Sequence, residues 1–140
     1  MPDDEVDPFT RDLIADLREH GKATTGRMVG RPLMVLTTTG AKTGRPRTAI
    51  VTYTRDGDRY VIAGTKSGDP THPAWYLNLL ADPNVTVEAG GERFAARATV
   101  IEGEERSRLW NQHAAERAEL RDYPAKTSRV IPVIVLDRVT

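Results

Sequence analysis

The stretch L-M-V-L-T-T-T-G-A-K-T-G-R-P-R-T-A-I-V-T, residues 33–52, places two segments rich in β-branched residues around a turn with two glycines and a proline. Such segments favour strands, and Gly and Pro favour the turn between them. The stretch predicts one strand at 33–39 and a second at 47–55. Three basic residues lie between or next to them, in what we call the cationic loop, residues 39–47.

The remaining strands extend this pair into a small antiparallel barrel. Asp56-Gly57 is a strong hairpin signal, which predicts that the strand at 47–55 turns into a partner at 59–64. Three successive antiparallel strands would form a meander. Further strands are predicted at 83–88, 93–101 and 130–137, and Pro132 makes the last of them an edge or bulged strand. Six strands with interspersed helices indicate an α+β fold that is mainly β.

Three further segments have helical periodicity. The predicted helices are residues 7–20, 73–82 and 102–119. The inward face of the first helix is predicted to be Phe9, Leu13, Ile14 and Leu17. The inward face of the third is predicted to be Leu109, Trp110 and Ala114. The second helix is apolar around most of its circumference, so we expect it to be largely buried.

Composition argues against several classes of protein. The chain has 140 residues, with 20 Lys and Arg against 20 Asp and Glu, and it has no cysteine. This length fits one domain, in which residues 1–32 form an N-terminal helix and loop and residues 33–140 form the barrel. The balanced charge argues against a general nucleic-acid binder. An acidic N-terminus and no apolar run of membrane-spanning length lead us to expect a soluble cytoplasmic protein.

The cationic loop is the strongest candidate for a binding site. Gly40 and Gly44 would let successive backbone N–H groups face an anion, and Lys42 and Arg47 would add charge-assisted hydrogen bonds. If the second and third strands pair, Arg47 and Lys66 lie at the same end of the sheet. Neither the Walker nor the Rossmann glycine spacing is present. On residue types alone, a solvated hairpin turn and an anion site remain alternatives.

Other residues give weaker signals. His20, His72 and His113 are far apart in sequence, so no metal site is predicted. No G-x-S-x-G elbow marks a nucleophile. Trp75 and Tyr76 suit a hydrophobic core, and the alternative is a planar cofactor stacked near Trp75.

Five blocks of sequence, taken together and in order, resemble the deazaflavin-dependent nitroreductase family. They are L-T-T-T-G-A-K-T-G-R-P-R at 36–47, D-G-D-R-Y at 56–60, T-K-S-G at 65–68, H-P-A-W-Y-L-N-L at 72–79 and I-P-V-I-V-L at 131–136. The resemblance implies a split β-barrel in which residues 33–140 form a deazaflavin-binding domain. It also implies that reduced coenzyme F420 passes hydride to a quinone-like, nitroaromatic or other conjugated acceptor.

The resemblance assigns coenzyme contacts to three parts of the chain. It assigns the phosphate and glutamyl tail to Ala41, Lys42, Thr43 and Arg47. It places the tricyclic ring and ribityl chain beside Thr48, Ala49, Ile50, Val51 and Thr52, and beside Ala63, Gly64, Thr65 and Lys66. It closes the site with Ala74, Trp75, Tyr76, Leu77 and Asn78. No catalytic residue is assigned, because the coenzyme itself supplies the hydride.

The acceptor pocket departs from that of the nitro-drug-reducing members, which carry several tyrosines there. The pocket positions in this chain are Tyr123, Leu120 and Thr52, which argues against activity on bulky nitroimidazoles. The expected partner is a small-molecule hydride acceptor, with no nucleic acid and at most transient contact with a membrane surface. Either a monomer or a homodimer fits.

Two other functions stay open at this point. One is a non-catalytic protein that binds or carries F420 or a lipid in the same barrel. The other is a related barrel that binds FMN, which has a terminal phosphate but no glutamate tail.

Overall fold

The structure, a computed structural model, describes residues 8–24, 26, 29–64, 73–115 and 131–139. These residues form three helices, α1 (Pro8–His20), α2 (Ala74–Ala81) and α3 (Gly103–Ala115). They also form seven strands, β1 (Leu33–Thr39), β2 (Pro46–Thr52), β3 (Thr54–Asp56), β4 (Arg59–Ala63), β5 (Asn84–Ala89), β6 (Glu92–Ile101) and β7 (Val133–Arg138).

All seven strands belong to one curled antiparallel sheet in the order β2-β1-β5-β6-β7-β4-β3. The inner face of this half-barrel is apolar, and its fully buried side chains include Met34, Leu36, Ile62, Ile134 and Leu136. A sheet that buries one face in this way has a fixed register, since a slip of one residue would expose the core side chains. The predicted α+β fold with an antiparallel split barrel is confirmed.

The predicted strand at 47–55 is two strands that meet at Tyr53. β2 pairs with β1, whereas β3 pairs with β4, so the two pieces lie at opposite edges of the sheet. The Tyr53 N–H still donates to the Pro32 carbonyl at 2.9 Å, and its ring packs against Tyr60 with centroids 5.3 Å apart. Burial raises the pKa of the Tyr53 hydroxyl. The bend explains why the described residues contain seven strands where six were predicted.

The last strand was predicted to be an edge or bulged strand, and this was wrong. β7 lies inside the sheet and pairs with β6 on one side and β4 on the other. Pro132 does not interrupt the ladder because it precedes the strand, and its carbonyl accepts a hydrogen bond from Gly64 N–H at 2.9 Å. Proline is tolerated at the first position of a strand, where its missing N–H ends the ladder and does not break it in the middle.

The long helices pack on the outside of the sheet. From α1, Leu13, Ile14 and Leu17 are buried against β1, whereas Phe9, which was predicted to face inward, is 51% exposed. Each buried side chain of this size contributes about 1.5–3 kcal/mol of hydrophobic stabilisation. From α3, Leu109 and Ala114 are buried as predicted.

α3 also buries a residue that was not predicted to face inward. His113 is 3% exposed, and its Nδ1 lies 3.0 Å from the Thr54 hydroxyl. Trp110, which was predicted to face inward, is half-buried and packs against a buried cluster of Val61, Leu109, Val133 and Val135. The predicted continuation of this helix to residue 119 lies outside the described residues.

The short helix α2 is much less buried than its composition predicted. Of its side chains, Asn78 and Leu79 are buried, while Leu77 and Leu80 are 50% and 53% exposed. Leu79 joins the inner core beside β1, which fixes the helix over that end of the half-barrel. In the part of the chain that the structure describes, no helix is both long and apolar enough to cross a lipid bilayer.

Candidate functional site

The cationic loop is a tight turn whose shape depends on two glycines. Gly40 N–H donates to the Arg45 carbonyl and Gly44 N–H to the Gly40 carbonyl, each at 2.8 Å. A Cβ on Gly40 would lie 2.8 Å from the Thr43 hydroxyl oxygen, and Gly44 has a φ of 70°. Both positions therefore favour glycine, one because of a close approach and the other because of its left-handed backbone.

These internal bonds limit which amides of the loop are available to a ligand. The N–H groups of Gly40 and Gly44 are used within the turn, and Arg45 N–H donates to the Thr43 hydroxyl at 3.2 Å. At the tip of the loop, the Lys42 and Thr43 amides have no acceptor among the described residues. The loop thus presents two adjacent N–H groups beside the Lys42 ammonium. This anion-binding group of amides is smaller than the two glycines alone predict.

Asn78 of α2 joins the loop to the core. Its Oδ1 accepts a hydrogen bond from Ala41 N–H at 3.0 Å, and its Nδ2 donates to the Thr38 hydroxyl at 3.1 Å. Thr38 is 2% exposed, so this second bond is sheltered from water. Asn78 is the only amide side chain in α2, which is otherwise apolar. A single amide among apolar residues is the sequence signal that could have identified this structural role, because a buried amide needs hydrogen-bond partners.

A cleft of about 630 Å³ opens between the cationic loop, β2 and α2. It is lined by Thr38, Gly40, Ala41, Lys42, Thr43, Arg47, Thr48, Ala49, Ala74, Trp75, Leu77 and Asn78. The cationic loop and β2 contribute the basic residues Lys42 and Arg47 to this lining, and α2 contributes the apolar side chains of Trp75 and Leu77. Arg45 belongs to the same loop but does not line the cleft.

The side chains of β2 alternate between the two faces of the sheet. Val51 packs into the inner core, whereas Ile50 packs against α1 on the outer face. Since side chains alternate along a strand, Arg47 and Ala49 face the α2 side and Thr48 and Thr52 face the α1 side. Of the five β2 residues assigned to the ring, Ala49 and Val51 therefore direct their side chains to the inner face.

One backbone edge of β2 is unpaired among the described residues. There β2 pairs only with β1, and the bonds from Gly40 N–H to Arg45 and from Tyr53 N–H to Pro32 fix which β2 residues point at β1. In an antiparallel ladder the hydrogen-bonded pairs alternate, so the backbone N–H and C=O groups of Thr48 and Ile50 point outward from the sheet. This places Thr48 at the cleft through its backbone, although its hydroxyl is buried without a partner among the described residues.

Of the 16 predicted site residues that the structure describes, ten line the cleft. Gly64 lies near the start of α2, since a Cβ on it would be 3.5 Å from Pro73 Cδ, and Ala63 ends the strand beside it. Tyr76 is half-buried against the inner core and does not line the cleft. Thr52 pairs with Leu33 at the opposite end of β2 from the cationic loop.

Four predicted residues lie outside the described part of the chain, namely Thr65, Lys66, Leu120 and Tyr123. The reasoning that placed Arg47 and Lys66 at one end of a hairpin was wrong. It required β2 to pair with β4, and the bend at Tyr53 prevents this by sending the two strands to different neighbours. In the described ranges, no group of three or more His, Asp or Glu side chains is arranged to hold a metal ion.

The curled antiparallel half-barrel is that of split-barrel proteins, and its cleft combines a cationic turn with apolar side chains of α2. A family model described as F420H(2)-dependent quinone reductase matches residues 10–138, and the chain belongs to this family. An F420H(2)-dependent quinone reductase of Mycobacterium tuberculosis is 43% identical to it, with 84% of each chain covered.

Two solved structures are similar to the chain in sequence and in fold. One is described as F420-H2 Dependent Reductase (FDR-A); it matches with a TM-score of 0.70 at 36% identity, covering 76% of this chain and 95% of that one. The other, described as a domain-swapped dimer, matches with a TM-score of 0.73 at 33% identity, covering 91% of this chain and 96% of that one. The predictions of an F420-dependent reductase and of coenzyme F420 are confirmed.

The residues of the cleft fit this coenzyme chemically. Its phosphate and glutamates need cations and N–H donors, which Lys42, Arg47 and the two amides at the loop tip supply. Its planar ring needs an apolar wall and hydrogen-bonding groups at its edge, which Trp75 and the free edge of β2 supply.

Proposed function

We propose that the cleft binds reduced coenzyme F420, with the anionic tail at the cationic loop, and that a quinone-type acceptor takes hydride there. The observation that carries the proposal is the composition of the cleft, whose lining combines the basic residues Lys42 and Arg47 with the apolar residues Ala74, Trp75 and Leu77 of α2. The quinone class is supported by the 43% identical relative, which is named a quinone reductase.

The tail would be held by the tip of the cationic loop. The Lys42 ammonium would donate to the phosphate or to a glutamate. The backbone N–H groups of Lys42 and Thr43 would be two further donors to the same tail. Arg47 already donates to the Thr43 hydroxyl at 3.4 Å, which holds its guanidinium beside the loop. Charge-assisted bonds of this kind are about twice as strong as neutral ones.

The ring would lie against β2 and under α2. The outward N–H and C=O groups of Thr48 and Ile50 are suited to the polar edge of a planar heterocycle, because neither is used within the sheet. Ala49 leaves room on the inner face, since a larger side chain there would enter the cleft. Trp75 would cover the ring and exclude water from it.

The bound coenzyme supplies the hydride. The described lining of the cleft contains no carboxylate, histidine or tyrosine, so we assign its groups to binding and orienting the coenzyme and the acceptor. We assign the proton that completes reduction of the acceptor to solvent water. This division of roles explains why no acid/base pair stands out in the sequence.

The proposal is tested by titrating the full-length chain with F420 and following its fluorescence. Replacing Lys42 with Ala should raise the dissociation constant about ten- to a hundredfold, because a lost charge-assisted contact is worth about 1.5–3 kcal/mol. Arg45→Ala is the matched control, since it removes the same charge from the same loop without altering the lining of the cleft. We expect the control to change the constant less than about threefold.

Equal effects of Lys42→Ala and Arg45→Ala would show that only the general charge of the loop matters, and the assigned site would be wrong. Tight binding of F420 without oxidation by any of several short-chain quinones would instead favour a carrier. Displacement of F420 by FMN at equal concentration would favour an FMN-binding barrel, because FMN lacks the glutamates that Lys42 is proposed to hold.

A further inference from the structure

A second cavity, of about 420 Å³, opens between the end of α1 and the turn that joins β5 to β6. We call it the hairpin cavity. Its described lining shares no residue with that of the cleft, and it meets β1 at Leu33, at the other end of that strand from the cationic loop. Its volume lies within the range of about 300–1,000 Å³ that is typical of small-molecule sites.

Part of the lining of the hairpin cavity is buried and apolar. Leu17 of α1 and Leu33 of β1 both line it, and they are 6% and 4% exposed. They belong to the cluster that packs α1 against the outer face of the sheet. An apolar group in the cavity would therefore extend a hydrophobic surface that the fold already contains.

The two acidic side chains of the described lining are each paired with an arginine. The Glu88 carboxylate accepts from Nε of Arg18 at 2.9 Å and from Nη2 at 3.1 Å, and the Glu88 side chain is only 13% exposed. Glu92 pairs with Arg138 at 3.0 Å. Arg93 lies opposite Glu88 in the register of β5 and β6, yet it has no hydrogen bond or ion pair with a described residue. Within the described lining, Arg93 therefore carries the charge that no protein group compensates.

The turn adds N–H donors beside this guanidinium. Gly90 and Gly91 line the cavity, and their backbone N–H groups have no acceptor among the described residues. Their φ angles of 58° and 84° are those of a tight two-residue hairpin turn. The Gly91 nitrogen lies beside the end of α1, since a Cβ on Gly21 would be 3.0 Å from it. Phe94 packs into the inner core, so strand alternation directs the Arg93 side chain to the outer face, on the α1 side.

We propose that the hairpin cavity binds a small monocarboxylic acid with an apolar body. The carboxylate would accept from the planar guanidinium of Arg93, whose geometry it matches, and from the amides of the turn. The apolar body would lie against the two buried leucines. A dianionic phosphate suits the cavity less well, because two glutamates belong to the same lining and would repel a second negative charge. The proposal goes beyond the reductase function and does not depend on it.

The test follows the assigned backbone amide signals of the isotopically labelled, full-length chain by nuclear magnetic resonance while 3-phenylpropionate is added. We expect a saturable shift of the Gly90 and Gly91 signals, with the signals at the tip of the cationic loop unchanged. The neutral 3-phenylpropanamide should bind at least about tenfold more weakly, because it forms no charge-assisted bond with Arg93. Acetate should also bind at least about tenfold more weakly, because it covers none of the apolar lining.

Two arginines on the same strand give a matched pair of variants. Arg93→Gln should raise the dissociation constant of 3-phenylpropionate about tenfold, because it removes the uncompensated charge. Arg97→Gln is the control, since Arg97 is exposed on the same face of β6 but lies outside the cavity lining, about 13 Å further along the strand. We expect the control to change the constant less than about twofold. Both side chains are exposed, so both variants should fold, which circular dichroism verifies.

Three results would overturn the proposal. The first is that the Gly90 and Gly91 signals do not shift, or that only the signals of the cationic loop shift. The second is that Arg93→Gln and Arg97→Gln weaken binding equally. The third is that inorganic phosphate binds in the hairpin cavity as tightly as 3-phenylpropionate, which would leave a general anion site in place of a carboxylic acid site.

Discussion

Replacing Asn78 with Ala should destabilise the chain and weaken coenzyme binding through one pair of hydrogen bonds. The side chain accepts from Ala41 N–H at 3.0 Å and donates to the Thr38 hydroxyl at 3.1 Å. Ala41 is exposed, so water replaces the first bond and its loss costs about 1 kcal/mol. Thr38 is 2% exposed, so its hydroxyl is left unsatisfied at a cost of about 1–3 kcal/mol.

The expected loss in the free energy of unfolding is therefore about 2–4 kcal/mol. It is measured by urea denaturation followed by far-ultraviolet circular dichroism, with the slope of the transition unchanged. The dissociation constant of F420 should rise as well, because the cationic loop loses its attachment to α2 and must be ordered when the coenzyme binds.

Asn78→Asp separates these two effects. The carboxylate still accepts from Ala41 N–H, and the Thr38 hydroxyl can rotate to donate to it, so more of the stability is retained than in Asn78→Ala. The new negative charge faces the cleft proposed for a polyanion, so coenzyme binding should fall more than in Asn78→Ala. If Asn78→Ala changed the unfolding free energy by less than about 0.5 kcal/mol, the loop would not be held by this residue.

Two other perturbations test the packing around the barrel. Gly64→Ala should lower the unfolding free energy by about 1–3 kcal/mol, because the new Cβ would lie 2.8 Å from Cγ of the rigid Pro132 ring; an unchanged melting temperature would contradict the close approach. The pKa of Asp56 is lowered to about 2, chiefly by its hydrogen bond from Arg108 and then by that from Arg59. Since the folded pKa lies below the unfolded value of about 3.9, its stabilisation is complete above pH 4 and lost as the pH falls toward 2. The stability difference between wild type and Asp56→Asn should therefore shrink over that range, and a constant difference would refute the ion pairs.

The parts of the fold that follow from local chemistry could be predicted from the sequence. Runs of β-branched residues mark the strands, and Asp56-Gly57 marks the hairpin that β3 and β4 form. The bend at Tyr53 could not be found in this way. No glycine or proline interrupts residues 47–55, so nothing local separates one long strand from two short ones.

The position of β7 in the sheet depends on contacts across the whole chain. Its partners β4 and β6 are far from it in sequence, and a propensity argument cannot tell an inner strand from an edge strand. Pro132 was informative about where the strand begins, which is a local property. It carried no information about the neighbours of the strand, and the prediction of an edge failed for that reason.

The candidate site was found through ordered sequence blocks, and the structure adds which residues of those blocks share a surface. Lys42 and Arg47 line the cleft and Arg45 does not, although all three are basic and lie within six residues of one another. Ile50 and Val51 are adjacent in sequence, yet they face opposite sides of β2. Strand alternation predicts this difference only after the inner face is known.

The prediction that α2 is largely buried was wrong, and this difference is the most informative one about function. A helix that is apolar around its circumference is expected to be buried on all sides, yet Leu77 and Leu80 remain exposed where α2 borders the cleft. Stability alone does not favour leucine at exposed positions, where polar helix formers serve as well. Sequences depart from local rules at functional sites, and this departure coincides with the apolar lip of the cleft and the cationic loop beside it. The exposed leucines are therefore better explained by what binds at that lip than by the folding of the barrel.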